Sequence, residues 1–331
     1  MTLDAESCAP AGLRRVWSDR PWLYSSPLWA LILALDFLRW PWGEDILAGL
    51  FWLVGLVRAR RRRPAIAWAK AQPNRHPWPL ALGLCGFRGR WVARSTLVGV
   101  RRPADLGRRV VIRGEEHLMA PAPQGTILLG FHLGPPNADV ALRILGHPMA
   151  WLGSARKSRA RASPAWAPFL ASRENLSPPD GDAEWFWAGY LYRARRILLE
   201  GRTIFVMADS LVGRELFAVT LPGGVMTVRS GWFTLWRQTG ARVVPVTTHL
   251  DGRMQVITAH PPLPVERTDQ SDADAYRSIL SGLAEDYVRR FPEQCPALVF
   301  PTRTRRRPDP ARNPSGVRPP REQHPSLHRP G

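Results

Sequence analysis

Three observations predict an α/β domain in which helices cover a sheet. From about Arg108 onward, short apolar runs of strand length alternate with helical patterns. The helical stretches stop where helices should stop, as residues 190–200 do at Gly201. With 331 residues and 45% hydrophobic content, the chain can fill a real core, in one large domain or two small ones.

The elements follow in order. Residues 1–63 precede the α/β pattern and carry two apolar stretches, 28–40 and 46–57. Each has an apolar core of about a dozen residues, short of the ~20 that cross a bilayer as a helix. Asp36 and Arg39 at the end of the first and Pro41, Glu44 and Asp45 after it would have to be buried by a single span. The segment therefore predicts one or two membrane-associated helices lying in or dipping into the interface, with the basic run 58–63 on anionic lipid. Helices packed on the core are the alternative. The arginine run also points to a cytoplasmic side.

Within 64–301, residues 110–113 predict a strand, 115–119 a helical turn and 126–130 a buried strand. A helix starts near Asn137, because Pro135 and Pro136 suit a helix entrance. Residues 203–207 predict a strand ending on Ala208-Asp209, and 219–221 and 242–249 predict two more. Residues 272–291 predict an amphipathic helix. The Arg/Pro-rich tail, 302–331, has no apolar periodicity and predicts disorder.

The formal charge is 46 − 27 = +19. Lysine occurs only at 70 and 157, so the excess is arginine, and the tail holds eight arginines against Asp309 and Glu322. The balance suits a membrane surface or phosphate groups. A nucleic-acid partner is not expected, since the basic tail has no recognition motif and no interleaved aromatics. Cys8, Cys85 and Cys295 have neither metal-ligand nor disulfide spacing, so a reducing compartment is expected, with no metal. No secretory signal is expected either, the first apolar run starting too late.

The chemistry concentrates in Gly130-Phe-His-Leu-Gly-Pro-Pro-Asn-Ala-Asp139, where a strand ends and a helix begins. His132 lies where α/β enzymes place their sites. Gly130 and Gly134 on either side allow close backbone approach to a ligand. An imidazole there, with a carboxylate in reach, makes a general base for an alcohol proton. Asp139 is the nearby carboxylate, though an acid in a first helical turn also suits the helix dipole. Asn137 is a candidate N-cap.

At these residues the chain resembles the bacterial lipid A late acyltransferases, the lauroyl/myristoyl group of the lysophospholipid acyltransferase superfamily. That family carries a His-x4-Asp/Glu motif, often His-x-Gly-Asn-Trp-Asp/Glu, after an apolar strand. His132 and Gly134 match it, and Asn137-Ala-Asp139 matches Asn-Trp-Asp if Pro135-Pro136 is an insertion. Counted without a gap, the acidic position is Asn137. Further blocks follow in the family's order: Val111-Ile-Arg-Gly-Glu-Glu-His-Leu, then Glu200 to Asp209, then Leu221-Pro-Gly-Gly. Arg229-Ser-Gly-Trp, Thr239 to Val246, and Glu285 to the Pro292-Glu-Gln294 turn complete them.

The resemblance implies a central mixed sheet covered by helices, and acyl transfer from a thioester to a lipid hydroxyl. It implies no cofactor beyond the donor, an acyl carrier protein or coenzyme A thioester. His132 would be the base and Asp139 its partner. Gly134, Asn137, Arg156, Asp209 and Arg214 would bind substrate, with amides near Gly134 holding the oxyanion. The expected partners are a membrane lipid acceptor (a lipid A precursor, another glycolipid or a lysophospholipid) and the membrane surface. The expected place is the cytoplasmic face of a bacterial inner membrane. A catalytically inactive relative that binds lipid or scaffolds a membrane complex is the other reading, and Asn137 is its support.

Overall fold

In the computed structural model, residues 42–97, 107–151, 190–210, 213–264 and 271–300 are described. The fold is organised around β2 (Thr126–Gly130), every residue of which is buried. Burial on both faces is what a central parallel strand requires, and its near-continuous apolar sequence supplies it. Ile127 and Leu129 point into the larger core cluster, Leu128 into a second cluster on the opposite face.

Six strands form the sheet: β1 (Val110–Arg113), β2, β3 (Ala150–Trp151), β4 (Thr203–Met207), β7 (Arg242–Asp251) and β8 (Met254–Ala259). Their order across the sheet is β1-β8-β7-β2-β4-β3. Every neighbouring pair is parallel except β7 and β8, which are antiparallel, so the sheet is mixed. β5 (Glu215–Leu221) and β6 (Gly224–Arg229) form a separate antiparallel hairpin. Its turn is Pro222-Gly223, with Gly223 at φ +80°, the Pro-then-Gly order of a type II turn. Gly223 thus serves the hairpin turn, and both it and Gly224 lie against Trp68.

The helices are α1 (Trp42–Val57), α2 (Ala59–Ala71), α3 (Pro77–Leu97), α4 (Glu115–Met119) and α5 (Ala138–Ile144). They continue with α6 (Tyr190–Leu199), α7 (Gly231–Thr239), α8 (Ser271–Arg290) and α9 (Pro296–Val299), with a 3-10 turn at Pro292–Gln294. The α/β fold class is therefore as expected. Strands β3, β6 and β8 had not been read from the sequence.

The second apolar stretch is α1, and one side of it packs on α3. Leu47 is buried, Gly89 of α3 lets the helices close onto the Leu47 carbonyl, and Gly55 makes room for Cys85. Glu44 reaches into the interior to Arg94, whose Nε lies 2.9 Å from Glu44 Oε1. Burial pushes the Glu44 carboxyl up and the Arg94 guanidinium down, while each opposes the shift of the other. Arg94 also donates to Gln255 Oε1 and the Arg253 carbonyl.

The other side of α1 is apolar and exposed. Ile46, Leu50, Leu53 and Val57 follow helical spacing along it, with Leu53 52% and Val57 80% exposed. Among the described residues, no helix is long and apolar enough to cross a membrane. The boundary expected after residue 63 falls inside α2. Arginines at a helix N-terminus oppose its dipole, and Arg62 answers by donating from Nη1 to the Leu56 carbonyl near the end of α1. Residues 28–40, Arg156 and the tail 302–331 lie outside the described residues.

Candidate active site

β2 and β4 are parallel and in register, Thr126 opposite Thr203 and Gly130 opposite Met207. Both strands therefore end at the same level. Two residues further on, the chains deliver His132 and Asp209 to adjacent positions at the carboxyl edge of the sheet. The Ala208 amide donates to the Gly130 carbonyl at 2.8 Å, which carries the pairing one step past the strands.

His132 Nδ1 lies 2.8 Å from Asp209 Oδ1, and the His132 main-chain N–H donates to the same oxygen at 3.1 Å. A carboxylate only accepts, so Nδ1 carries a proton, and in the neutral imidazole Nε2 keeps its lone pair. The Asp209 side chain is 1% exposed, while that of His132 is 41% exposed. The charge is thus enclosed beside a ring that is partly exposed.

The carboxylate beside His132 is therefore Asp209, a correction to the expectation of Asp139. Asp139 is buried in the first turn of α5, on a helix, where it engages other groups. Sequence nearness had favoured it, but the parallel pairing of β2 with β4 brings a residue 77 positions away into contact.

Asn137 stands at the N-cap position of α5 without capping through its side chain. Its backbone is left-handed, φ +69°, a conformation asparagine tolerates better than most residues. Its Nδ2 makes a long 3.4 Å bond to the Arg94 carbonyl, and its Oδ1 is buried without a hydrogen-bond partner.

Gly134 is at φ +77°, and a Cβ there would run into the Thr248 carbonyl and the Tyr287 hydroxyl. Its amide donates to the Gln294 carbonyl at 2.9 Å. That N–H is engaged within the protein, so it is not the oxyanion donor expected near Gly134. Arg214 is exposed, and its main chain pairs with Ser230 at the base of the β5–β6 hairpin. The Arg229 amide donates to the Ala208 carbonyl, which ties that hairpin to the Asp209 turn. Among the described residues, no group of three or more His, Cys, Asp or Glu side chains is arranged to hold a metal ion.

These features define an α/β protein with an imidazole–carboxylate pair at the carboxyl edge of parallel strands. No family model matches the chain, and no curated protein matches it. Among solved structures it is similar to the crystal structure of the 1-acyl-sn-glycerophosphate (LPA) acyltransferase, PlsC, from Thermotoga maritima. The identity is 15%, over 78% of this chain and 95% of that one, with a TM-score of 0.37.

Proposed function

We propose that the chain is a membrane-associated O-acyltransferase, moving a fatty acyl chain from an acyl thioester to a hydroxyl of a lipid acceptor. The observation that carries this reading is the 2.8 Å contact between His132 Nδ1 and the enclosed Asp209 carboxylate. With Nδ1 protonated, Nε2 takes the acceptor's hydroxyl proton as its oxygen attacks the thioester carbonyl. Asp209 balances the imidazolium that results. Collapse of the tetrahedral adduct breaks the C–S bond, and the departing thiolate takes the proton from Nε2. The products are the ester and the free thiol, and His132 is regenerated.

The order of sequence blocks supports an acyltransferase of this superfamily; within it we propose a lipid A precursor or a related glycolipid or lysophospholipid as acceptor, and acyl carrier protein or coenzyme A as the carrier. The catalytically inactive reading rested on Asn137 in the acidic position. With a carboxylate on the imidazole from Asp209, Asn137 no longer argues for it.

The test is acyl transfer by the purified protein from both thioesters to each acceptor class, with mass spectrometry of lipids from cells with and without the gene. His132→Ala is expected to abolish transfer without unfolding the protein, at some cost in melting temperature because Asp209 loses its partner. Transfer retained by that variant overturns the assignment.

The exposed face of α1, followed by Arg58 and residues 60–63, supports a cytoplasmic membrane surface as the place of work. The protein is expected to sediment with vesicles containing anionic phospholipid, and less so as salt rises. The double variant Leu53→Asp, Val57→Asp should lose affinity by roughly a hundredfold, at ~1.5 kcal/mol per aliphatic side chain. Unchanged sedimentation of that variant removes α1 from the contact.

A further inference from the structure

β2 stops five residues before its neighbour β7 has finished the sheet edge. Gly130 is the last residue of β2 and lies opposite Val246, while β7 continues to Asp251. The Arg242 amide donates to the Gly125 carbonyl at the start of β2, which puts the main-chain groups of even-numbered β7 residues on the β2 side. Thr248 and Leu250 therefore turn their amide and carbonyl groups toward a strand that has already left to form the His132 segment. Buried main-chain groups of this kind need partners.

Two side chains from the end of the domain partner three of these four groups. Gln294 accepts from the Leu250 amide through Oε1 at 2.7 Å and donates from Nε2 to the Leu250 carbonyl at 2.9 Å. Its primary amide thus acts as one residue of an added strand. The Tyr287 hydroxyl donates to the Thr248 carbonyl at 2.7 Å, and burial holds that phenol well above its ordinary range, so it stays a donor. The Gln294 carbonyl then receives the Gly134 amide. Gly134 is two residues from His132, and its missing side chain lets the segment lie against the Thr248 carbonyl.

We infer that Gln294 is a positioning residue for His132. Its side chain fixes the Pro292–Gln294 turn to β7, and its carbonyl fixes Gly134, so the segment leaves β2 on the path that aims Nδ1 at Asp209. The inference rests on the reading of His132 as the base, but its geometry is measured separately. Gln294 touches neither the imidazole nor a substrate. It acts by removing the freedom of the segment that carries the base.

Gln294→Ala and Gln294→Glu test this in the full-length protein labelled uniformly with 15N. In the wild type, the His132 signal, assigned by its loss in His132→Ala, is expected to report the Nδ1–H tautomer, and the Gly134 and Leu250 amides to exchange slowly. Gln294→Ala is expected to mix the tautomers, to speed exchange at both amides, and to lower kcat about ten- to a hundredfold with KM unchanged. Gln294→Glu keeps the shape and carries the same donor and acceptor only as the neutral acid. Its protection of Leu250 and Gly134 should be present at low pH and lost as pH rises through the buried carboxyl's raised pKa.

If Gln294→Ala keeps the wild-type His132 tautomer and slow Gly134 exchange, the inference is overturned, whatever happens to turnover. If Gln294→Ala does not fold, Gln294→Glu followed across pH decides: protection that ignores pH overturns the inference. If His132→Ala transfers acyl groups as well as wild type, the proposed function fails. The tautomer and exchange measurements then still decide the role of Gln294.

Discussion

Asp209→Asn is expected to lower acyl transfer by roughly 10²–10⁴-fold and leave the tautomer of His132 unchanged. Oδ1 of Asp209 accepts from both the main-chain N–H and the Nδ1–H of His132. An asparagine has only one oxygen, and standing where Oδ1 stands it accepts from both donors. Nδ1 then keeps its proton and Nε2 its lone pair. What the amide cannot supply is negative charge opposite the imidazolium as it forms. Removing one partner of an enclosed ion pair costs about 3–5 kcal/mol, and each 1.4 kcal/mol in the barrier is about tenfold in rate. Steady-state kinetics beside 15N-histidine spectra check both parts. A variant within about threefold of wild type would show that the carboxylate does not serve the reaction.

Gly134→Ala is the substitution with the largest expected effect on the fold. Two penalties act together. A left-handed backbone at φ +77° costs a residue with a side chain roughly 1–2 kcal/mol. The new methyl group also meets the Thr248 carbonyl, which belongs to a strand and cannot rotate away. Relief requires the segment to lift off β7 and release its amide from Gln294. The expected loss is about 4 kcal/mol, or a fall in melting temperature on the order of 10 °C, with turnover abolished. Gly146 is the control, since it has φ +93° but open space where a Cβ would sit. Gly146→Ala should show the backbone penalty alone, about 1 kcal/mol. Equal melting temperatures for the two variants would mean that contact with β7 does not hold the segment.

Much of this was legible in the chain. β2 and β4 were both readable as strands because their apolar runs are short and bounded, and the histidine at the end of β2 stood out for its position. The partner was not readable from spacing along the chain, which ranks Asp139 first. A phase relation does point to it. Thr126-Ile begins one block and Thr203-Ile the other, and six residues after each threonine come His132 and Asp209. Two parallel strands that start in register must deliver such residues side by side. Register is a tertiary fact, however, and nothing local says which strands are neighbours. The same limit hid β8 and the role of Gln294, whose contacts lie at the far end of a strand it follows by more than 40 residues. Arg62 on the Leu56 carbonyl and the Glu44–Arg94 pair were hidden for a different reason. The run 58–63 read as a lipid-facing surface and Glu44 as a charge that argues against a span, so neither pointed to a partner inside the fold.

That the charge opposite His132 comes from β4 changes what the stretch between Pro135 and Asp139 has to do. Where one loop provides base and counter-charge together, any change of loop length disturbs proton transfer. Here the two duties sit on separate strands, joined by the sheet. The stretch around the two prolines is left with a mechanical task, to turn the chain and start α5. Under the proposed function, a change in its length or shape leaves the His132–Asp209 contact in place.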